Sequence, residues 1–247
     1  MTLILGAASR ITSSDEKTNY SRLCHLLVRV GSQVLRDIFD GIIPPTDLQR
    51  FLKRHPAQSK LQSLRKEGIL NTMQWSKLYP AVPSSVSSTG FDPALLMILL
   101  RTICNLSPPP AGWDVPPLSV DITCECDIAR VKYFMNAVSN PALETSVSDA
   151  VFSDYWQRIR VSLVQLGGGG YEDVIDEMKN QEMDPLDKEH FVVLLKQWRK
   201  IEDDIKDRLT EVESVLQCSD MEGKFLTNGA IFNSSNLILL TDFLSFL

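Results

Sequence analysis

The sequence predicts an all-α protein, built as a helical bundle with a C-terminal helical extension. Apolar residues recur at spacings of three and four along most of the chain, which places them on one face of successive helices. No stretch alternates apolar and polar residues over more than a few positions, as a half-buried strand would. Hydrophobic residues make up 44% and charged residues 23% of the 247 residues, and this composition is ordinary for a globular protein.

The first helices follow from apolar spacing and from signals at their ends. An opening helix is predicted over residues 19–40, and Gly41 ends it. Thr46 and Gln49 stand at the spacing of a capping box, which predicts the start of a short helix. A further helix begins near Ala57. The stripe of the opening helix that we expect to be buried comprises Leu23, Leu27, Val30, Val34 and Ile38.

Two polar residues predict the starts of the next helices. Asn71 can cap a helix that Pro80 ends, and Asp92 precedes Pro93 in a cap-plus-proline arrangement. The helix after Asp92 is apolar on nearly every face, which predicts that it is the central buried helix. A long proline-rich loop follows, and we expect it to cover the core through Trp113.

Two amphipathic helices that meet across a short polar loop organise the second half of the chain. The stripe of the first comprises Ile128, Val131, Met135 and Val138. The stripe of the second comprises Phe152, Tyr155, Ile159, Leu163 and Leu166. Ser148 can cap the second helix, and Gly167 and Gly168 end it.

A long helix is predicted over residues 186–217, because Asp184 and Pro185 give a start signal and an apolar stripe follows. We expect it to pack back onto the bundle or to lead to a further module. Its stripe comprises Leu194, Trp198, Ile201, Ile205, Val212 and Leu216. The predicted divisions of the chain are a mobile leader over 1–18, a bundle domain over 19–168, a helical extension over 169–217 and a tail of uncertain order over 218–247.

The stretch that holds the two amphipathic helices resembles the end of an HEPN domain. It reads DIARVKYFMNAVSN and then, after a short polar loop, AVFSDYWQRIRVSLVQLGG. The subtype is the one found in the DAZ-interacting RING-type ubiquitin ligase. Residues 19–40, 64–80 and 91–106 are similar, in the same order, to earlier helices of that subtype. The resemblance implies an HEPN-like helical bundle over residues 19–168.

The resemblance also implies where a catalytic site would lie. Active HEPN domains are metal-independent ribonucleases, and in this subtype the expected motif is Arg-Asn, four further residues and His. In this sequence those three positions hold Met135, Asn136 and Pro141. Arg130 lies more than one helical turn upstream of Met135 and does not replace the missing arginine. The resemblance therefore implies a degenerate motif with no catalytic residue.

The most basic part of the chain lies between residues 50 and 66. It predicts where RNA would bind first, weakly and with a steep dependence on salt. A solvated surface is the alternative interpretation. The stretch lacks interleaved aromatic residues on which bases could stack. The candidate residues are Arg50, Lys53, Arg54, Lys60, Arg65 and Lys66.

Protein partners and self-association are implied by the same resemblance. HEPN domains commonly dimerise around the motif, and the unbranched methionine side chain adapts to apolar contacts. We therefore expect a homodimer contact through Met135 and Asn136. Met135 also falls on the apolar stripe of its helix, so a place in the core is the alternative.

The sequence predicts no metal, no cofactor and no membrane partner. Cys124 and Cys126 form a pair with no second pair and no His at zinc-ligand spacing. We expect the five cysteines to be free thiols in a reducing compartment. The apolar run in residues 1–10 lacks a basic segment before it, and no stretch approaches the ~20 apolar residues of a membrane span. These features favour a cytoplasmic location.

Three hypotheses for function follow from these patterns. The first is a catalytically degenerate HEPN module that acts as a protein-interaction and RNA-sensing domain. The second is an active metal-independent ribonuclease in which a displaced base such as His25 serves. The third is a purely structural helical adaptor. A ubiquitin ligase is the weakest alternative, because the sequence has no array of Cys and His residues for a RING domain.

Overall fold

The computed structural model describes residues 16–143, 147–181 and 183–223. These residues form α-helices joined by loops and short 3-10 turns, and no strand occurs among them. The prediction of an all-α fold is confirmed. Most of the predicted leader and the predicted tail after Gly223 lie outside the described residues. No helix in the described ranges is long and apolar enough to cross a membrane.

Helix α1 is one continuous helix over residues 16–42. It is α-helical over 16–25, π-helical over Leu26–Gly31 and α-helical again over Ser32–Ile42. The predicted opening helix and its buried stripe are confirmed, except that Ile38 is only partly buried. The wider π-helical turn buries five of its six residues, so more of the helix surface faces the core there.

Three short helices follow, namely α2 (Pro45–Leu52), α3 (Ala57–Lys66) and α4 (Thr72–Leu78). The predicted capping box at Thr46 is wrong, because α2 already begins one residue earlier and no side chain caps it. The proline at the first helical position explains the shift. Its ring fixes φ near the helical value, and its missing N–H group would have no partner there in any case.

The predicted cap of α4 is confirmed. Asn71 Oδ1 accepts a hydrogen bond from the backbone N–H group of Gln74 at 2.9 Å, and Gln74 Oε1 accepts one from the backbone N–H group of Asn71 at 3.2 Å. Each side chain therefore satisfies a backbone N–H group that the helix itself leaves without a partner.

Helix α5 (Pro93–Thr102) is the buried centre of the bundle. Asp92 caps it by accepting a hydrogen bond from the Leu95 amide at 2.8 Å, so the predicted start is confirmed. All residues from Ala94 to Leu100 are buried, which means that other elements cover α5 on every side. Trp113, in the proline-rich loop after α5, is buried as predicted.

Helices α6 (Cys124–Val138) and α7 (Asp149–Gly167) pack against each other. The predicted stripe of α6 is fully buried. In the stripe of α7, Tyr155 and Leu166 are only partly buried, and Trp156, which the spacing did not select, is buried instead. Among the described helices, these two share the most extensive contact.

Helix α7 ends in a sharp break before α8 (Gly170–Asn180). Gly168 adopts a φ of 85°, in the left-handed region that glycine enters without steric cost, and it ends α7 as predicted. Arg160 on α7 ties the two helices together by pairing with Glu172 and with Asp176 on α8, the latter at 2.7 Å.

Helix α9 (Pro185–Gly223) is longer than predicted and folds back onto the bundle, against α1, α5 and α6. Leu195, Trp198 and Ile205 are buried in the same core as the other helices. Leu195 replaces the predicted Leu194 as the more deeply buried side chain. Predicted stripe residues whose side chains lie outside the described part are Val212 and Leu216.

Candidate functional site

The three positions at which the catalytic motif was expected lie in three different environments. Met135 is in the core with no exposed surface. Asn136, the next residue of α6, is half-buried and hydrogen-bonded to α9. Pro141 is exposed and begins a 3-10 turn after α6. The three side chains therefore differ in exposure, from the buried Met135 through the half-buried Asn136 to the exposed Pro141.

Met135 packs where α6 passes the π-helical turn of α1. A Cβ atom added to Gly31 would lie 3.4 Å from Met135 Cε, so the methionine fills space that the glycine leaves. Met135 has no exposed surface, so a second copy of the chain would contact this side chain only if the core opened. Self-association through the face that holds Met135 and Asn136 stays a prediction.

Asn136 is held by two residues of α9. Trp198 Nε1 donates to Asn136 Oδ1 at 2.8 Å, and Asn136 Nδ2 donates to Glu202 Oε2 at 3.5 Å. Trp198 is 2% exposed and Glu202 is 4% exposed. Helix α9 therefore covers the Asn136 amide and occupies both its oxygen and its nitrogen.

Lys132, one turn before Asn136 on α6, extends this contact. Its Nζ lies 3.0 Å from Glu202 Oε2, and it also pairs with Asp114 in the proline-rich loop. The Lys132 side chain is buried. Removing the partner of a buried charge typically destabilises a protein by on the order of 3–5 kcal/mol, because the remaining charge is left without water or a counter-charge. The two carboxylates offset that cost and join three elements of the fold.

Arg101 on α5 brings a second, half-buried cation to the same place. Its guanidinium lies 5.5 Å from the centroid of the Trp113 ring, which is a cation–π contact. Burial lowers the pKa of Arg101, and the negative charges of Asp114 and Glu202 oppose that shift. We call this group of side chains the α9 cluster, consisting of Arg101, Asp114, Lys132, Asn136, Trp198 and Glu202.

The α9 cluster is suited to holding helices together. Its two cations and two carboxylates balance in charge, and its amide and indole groups bond to each other. A general acid or base must instead reach a proton of the substrate. Because α9 covers Lys132 and Asn136, the cluster presents neither group to an RNA phosphate.

His25, considered above as a displaced base, is also covered by α9. Its ring stacks on Phe191 with the centroids 4.2 Å apart, and it is 7% exposed. Burial lowers the pKa of His25 and the charge of Arg29 lowers it further, while Asp187 opposes both effects. In the folded protein the neutral form of the His25 ring is therefore favoured, and this ring stacks on Phe191.

Arg130 anchors the proline-rich loop to α6. It pairs with Asp127 at 2.7 Å and donates to the carbonyl oxygens of Leu118 and Asp121. Burial raises the pKa of Asp127, although the hydrogen bond and the charge of Arg130 lower it. Arg130 is thus engaged in holding the loop to α6.

The six basic candidates lie on α2, on α3 and in the turn between them. Arg50 pairs with Asp47, and Arg65 donates to the Leu70 carbonyl at 2.9 Å. Lys60 is half-buried. The members that are exposed and enter no ion pair in the described part of the chain are Lys53, Arg54 and Lys66.

Sequence reasoning did not select Lys132 or Glu202. The available signal was a carboxylate on an apolar stripe, since Glu202 follows Trp198 by four residues and lies on the same helix face. Its partner could not be named, because Asn136 and Glu202 are 66 positions apart. Helical spacing reports the face of a residue and gives no information about the opposite helix.

No metal-binding group emerges from the described residues. Among them, no three side chains of His, Cys, Asp or Glu are placed to hold a metal ion. Burial raises the pKa of the Cys104 thiol to about 12, so this cysteine is an unreactive core residue. The side chain of Cys218 lies outside the described part. The free cysteines are Cys24, Cys104, Cys124 and Cys126.

Two curated relatives share about a quarter of their matched residues with this chain. The E3 ubiquitin-protein ligase DZIP3 of Mus musculus is 27% identical over 165 residues, which is 65% of this chain and 13% of the relative. That of Homo sapiens is 27% identical over 151 residues, which is 60% of this chain and 12% of the relative. The chain thus spans about an eighth of the length of these relatives. No solved structure matches.

A family comparison covers the helices from α2 to the start of α9. The model of the DZIP3/hRUL138-like HEPN family matches residues 45–191, from the start of α2 into α9. This match covers more than half of the chain and includes α6, which carries Asn136. The chain belongs to the DZIP3/hRUL138-like HEPN family.

Proposed function

We propose that this chain is an HEPN module without ribonuclease chemistry that acts through contacts with other proteins. Membership of the family supplies the module. The position of the motif residues supports the loss of chemistry. A row of exposed apolar side chains in the loop between α5 and α6 is the observation that carries the proposal of a protein contact.

The loss of chemistry follows from what the motif residues can do. RNA cleavage without a metal needs a group that takes a proton from the 2′-hydroxyl and a cation that stabilises charge on the phosphate. Met135 supplies neither and is buried. Asn136 is bonded to α9, and the Pro141 side chain has no proton to exchange.

Four large apolar side chains in the loop between α5 and α6 are 52–76% exposed. Single exposed apolar residues are normal on protein surfaces, whereas a group of them is typical of an interaction site. We call residues 115–122 the exposed loop. Its exposed apolar side chains are Val115, Leu118, Val120 and Ile122.

Contacts on both sides fix the exposed loop. Trp113 is buried in the core directly before it, and Asp114 pairs with Lys132 of the α9 cluster. Arg130 donates to two of the loop's carbonyl oxygens, including that of Leu118. A loop that is already ordered loses little conformational entropy on binding, which favours affinity. These anchors support the interpretation of the exposed loop as a preformed contact surface.

The name of the curated relatives is compatible with such a role. A ubiquitin-protein ligase acts on proteins, and a module that contacts proteins suits that setting. The matched part is 12–13% of each relative, so the ligase activity itself is not proposed for this chain.

Site-specific photo-crosslinking in cells tests the protein contact. A photoreactive amino acid at position 120 should give discrete adducts with other proteins, and the same group at position 174 of α8 serves as the control, since Val174 is also exposed. The changes Leu118→Asp and Ile122→Asp should remove the adducts. Equal adducts from positions 120 and 174, or none from 120, would contradict the proposal.

RNA sensing is the second candidate function, and the exposed cations of α2 and α3 favour it. Lys53, Arg54 and Lys66 can contact phosphates without breaking an ion pair of the described structure. Such contacts release counterions, so affinity should be weak and should fall steeply as salt is raised.

Paired charge reversals test RNA binding. Lys53→Glu with Arg54→Glu should abolish the binding of single-stranded RNA, measured by fluorescence anisotropy at low salt. Lys17→Glu with Lys200→Glu changes the net charge equally at exposed lysines elsewhere and should leave binding largely intact. Binding that survives the first pair of changes would place the site elsewhere.

We also propose a cytoplasmic location. The four cysteines whose side chains are described form no disulfide, and three of them, Cys24, Cys104 and Cys126, are buried. Free thiols persist in the reducing cytosol and tend to be oxidised in secretory compartments. Fluorescence microscopy of the tagged chain in cells tests this location, and enrichment in a secretory compartment would contradict it.

A further inference from the structure

A cleft of about 150 Å³ opens between the α2–α3 turn and the end of α5. Arg54 and His55 line it from the turn, Lys60 from α3 and Asn105 from the far side. Phe51, half-buried at the end of α2, forms part of the apolar wall. None of these residues belongs to the α9 cluster or to the exposed loop.

The charge in this cleft is one-sided. No carboxylate lines it, and neither Arg54 nor Lys60 enters an ion pair within the described residues. Lys60 Nζ has one contact, to the Thr102 carbonyl oxygen at 3.4 Å, which is long for a hydrogen bond. By contrast, Arg50 in the adjoining cleft is neutralised by Asp47. The cleft thus holds two positive charges, and within the described residues no acidic side chain lines it or forms an ion pair with them.

The volume limits the size of a ligand. Pockets for drug-sized molecules hold roughly 300–1,000 Å³, and one water molecule takes about 30 Å³ in the liquid. A space of about 150 Å³ accommodates one tetrahedral anionic group with a few waters and is too small for a whole nucleotide.

We propose that this cleft binds the phosphate group of a small phosphate monoester, whose organic part stays outside. A monoester carries a charge of about −1.5 to −2 at pH 7, which two cations match. The Arg54 guanidinium can donate two parallel hydrogen bonds, and Lys60 supplies a compact positive charge. This ligand goes beyond the protein contact proposed above and does not depend on it.

Isothermal titration at constant ionic strength tests the cleft. Adenosine 5′-monophosphate should bind with a Kd of about 1 mM or lower, while adenosine should not bind. Sulfate should compete because it is also a tetrahedral dianion, and acetate should not. Arg54→Gln and Lys60→Gln should each weaken binding about tenfold. Lys66→Gln removes the same charge from α3 outside the cleft and should have no effect.

Several results would overturn the proposal. One is that the monophosphate does not bind at about 10 mM, and another is that adenosine binds equally well. The proposal also fails if acetate competes as strongly as sulfate, or if Lys66→Gln weakens binding as much as Arg54→Gln. Arg54 is exposed in a turn, so circular dichroism should show an intact fold for its variant. A 5′-hydroxyl RNA oligonucleotide that binds more tightly than the monophosphate would assign the cleft to backbone phosphates and leave the protein contact untouched.

Discussion

At position 135 the methionine side chain fills the space beside Gly31 and has no exposed surface. An arginine there would place its guanidinium among apolar side chains of α1 and α6. A buried charge without a partner is strongly unfavourable. Restoring the arginine of the family motif would therefore disturb the core before it could supply a cation to a phosphate.

The change Met135→Arg should lower the free energy of unfolding by about 3–5 kcal/mol, because it buries an unpaired charge. Met135→Leu conserves apolar volume and should cost less than about 1.5 kcal/mol. Urea denaturation followed by circular dichroism measures both. A Met135→Arg variant as stable as Met135→Leu would show that residue 135 can reach the surface.

Asn136 and Trp198 should be energetically coupled, since the indole N–H group donates to the amide oxygen at 2.8 Å. In a double-mutant cycle with Asn136→Ala and Trp198→Phe, we expect a coupling of about 0.5–1.5 kcal/mol. Trp156 is the control, because its buried Nε1 has no hydrogen-bond partner in the described structure. Asn136→Ala with Trp156→Phe should be additive, and additivity in both cycles would contradict the contact.

At the scale of elements, helix α9 completes the bundle. Its residues Leu195, Trp198 and Ile205 enter the common core, and Glu202 is a partner of the buried Lys132. The predicted boundary between a domain over 19–168 and an extension after it therefore separates parts that share one core. We propose that α9 is an integral helix of the folded unit.

A chain that ends at residue 184 should either unfold without cooperativity or show a free energy of unfolding that is lower by on the order of 3–5 kcal/mol, the cost expected when a buried ion pair is broken. It lacks Glu202 and exposes the apolar surface under Trp198. A chain that ends at residue 207 keeps these contacts and is the matched control. Thermal unfolding of both compares them, and equal midpoints would show that α9 is dispensable.

The helices themselves were largely predictable, because helical spacing and end signals act locally. Asn71 and Asp92 cap the helices that the sequence indicated, and the stripe through Met135 is buried. The capping box predicted at Thr46 is wrong because Pro45, a favourable first helical residue, already begins the helix. The partners of Asn136 were beyond reach, since a side chain 62 positions away in sequence makes the hydrogen bond.

At the scale of the whole molecule, stability should depend on pH through His25. Burial places its pKa in the folded state below the value of about 6.5 in the unfolded state. As pH falls below about 6.5, the unfolded state takes up a proton that the folded state does not, so stability is lost. The raised pKa values of Glu67 and Asp127 act in the opposite direction, since those carboxyl groups stabilise the fold as pH falls.

The comparison of His25→Gln with the unchanged chain isolates this effect. Urea denaturation at pH 7.5 and at pH 5.5 should show a smaller loss of stability at the lower pH for the variant. His55→Gln, at an exposed histidine, should behave like the unchanged chain. The same pH dependence in His25→Gln as in the unchanged chain would contradict the role of the buried ring.

In the fold, the Asn136 amide bonds to α9, Met135 lies in the core and Pro141 begins the turn that follows α6. The most direct test is cleavage of generic single-stranded RNA by the purified chain in EDTA. We predict no cleavage above the buffer control. EDTA-resistant cleavage that survives repurification and is abolished in a folded Asn136→Ala variant would contradict the account.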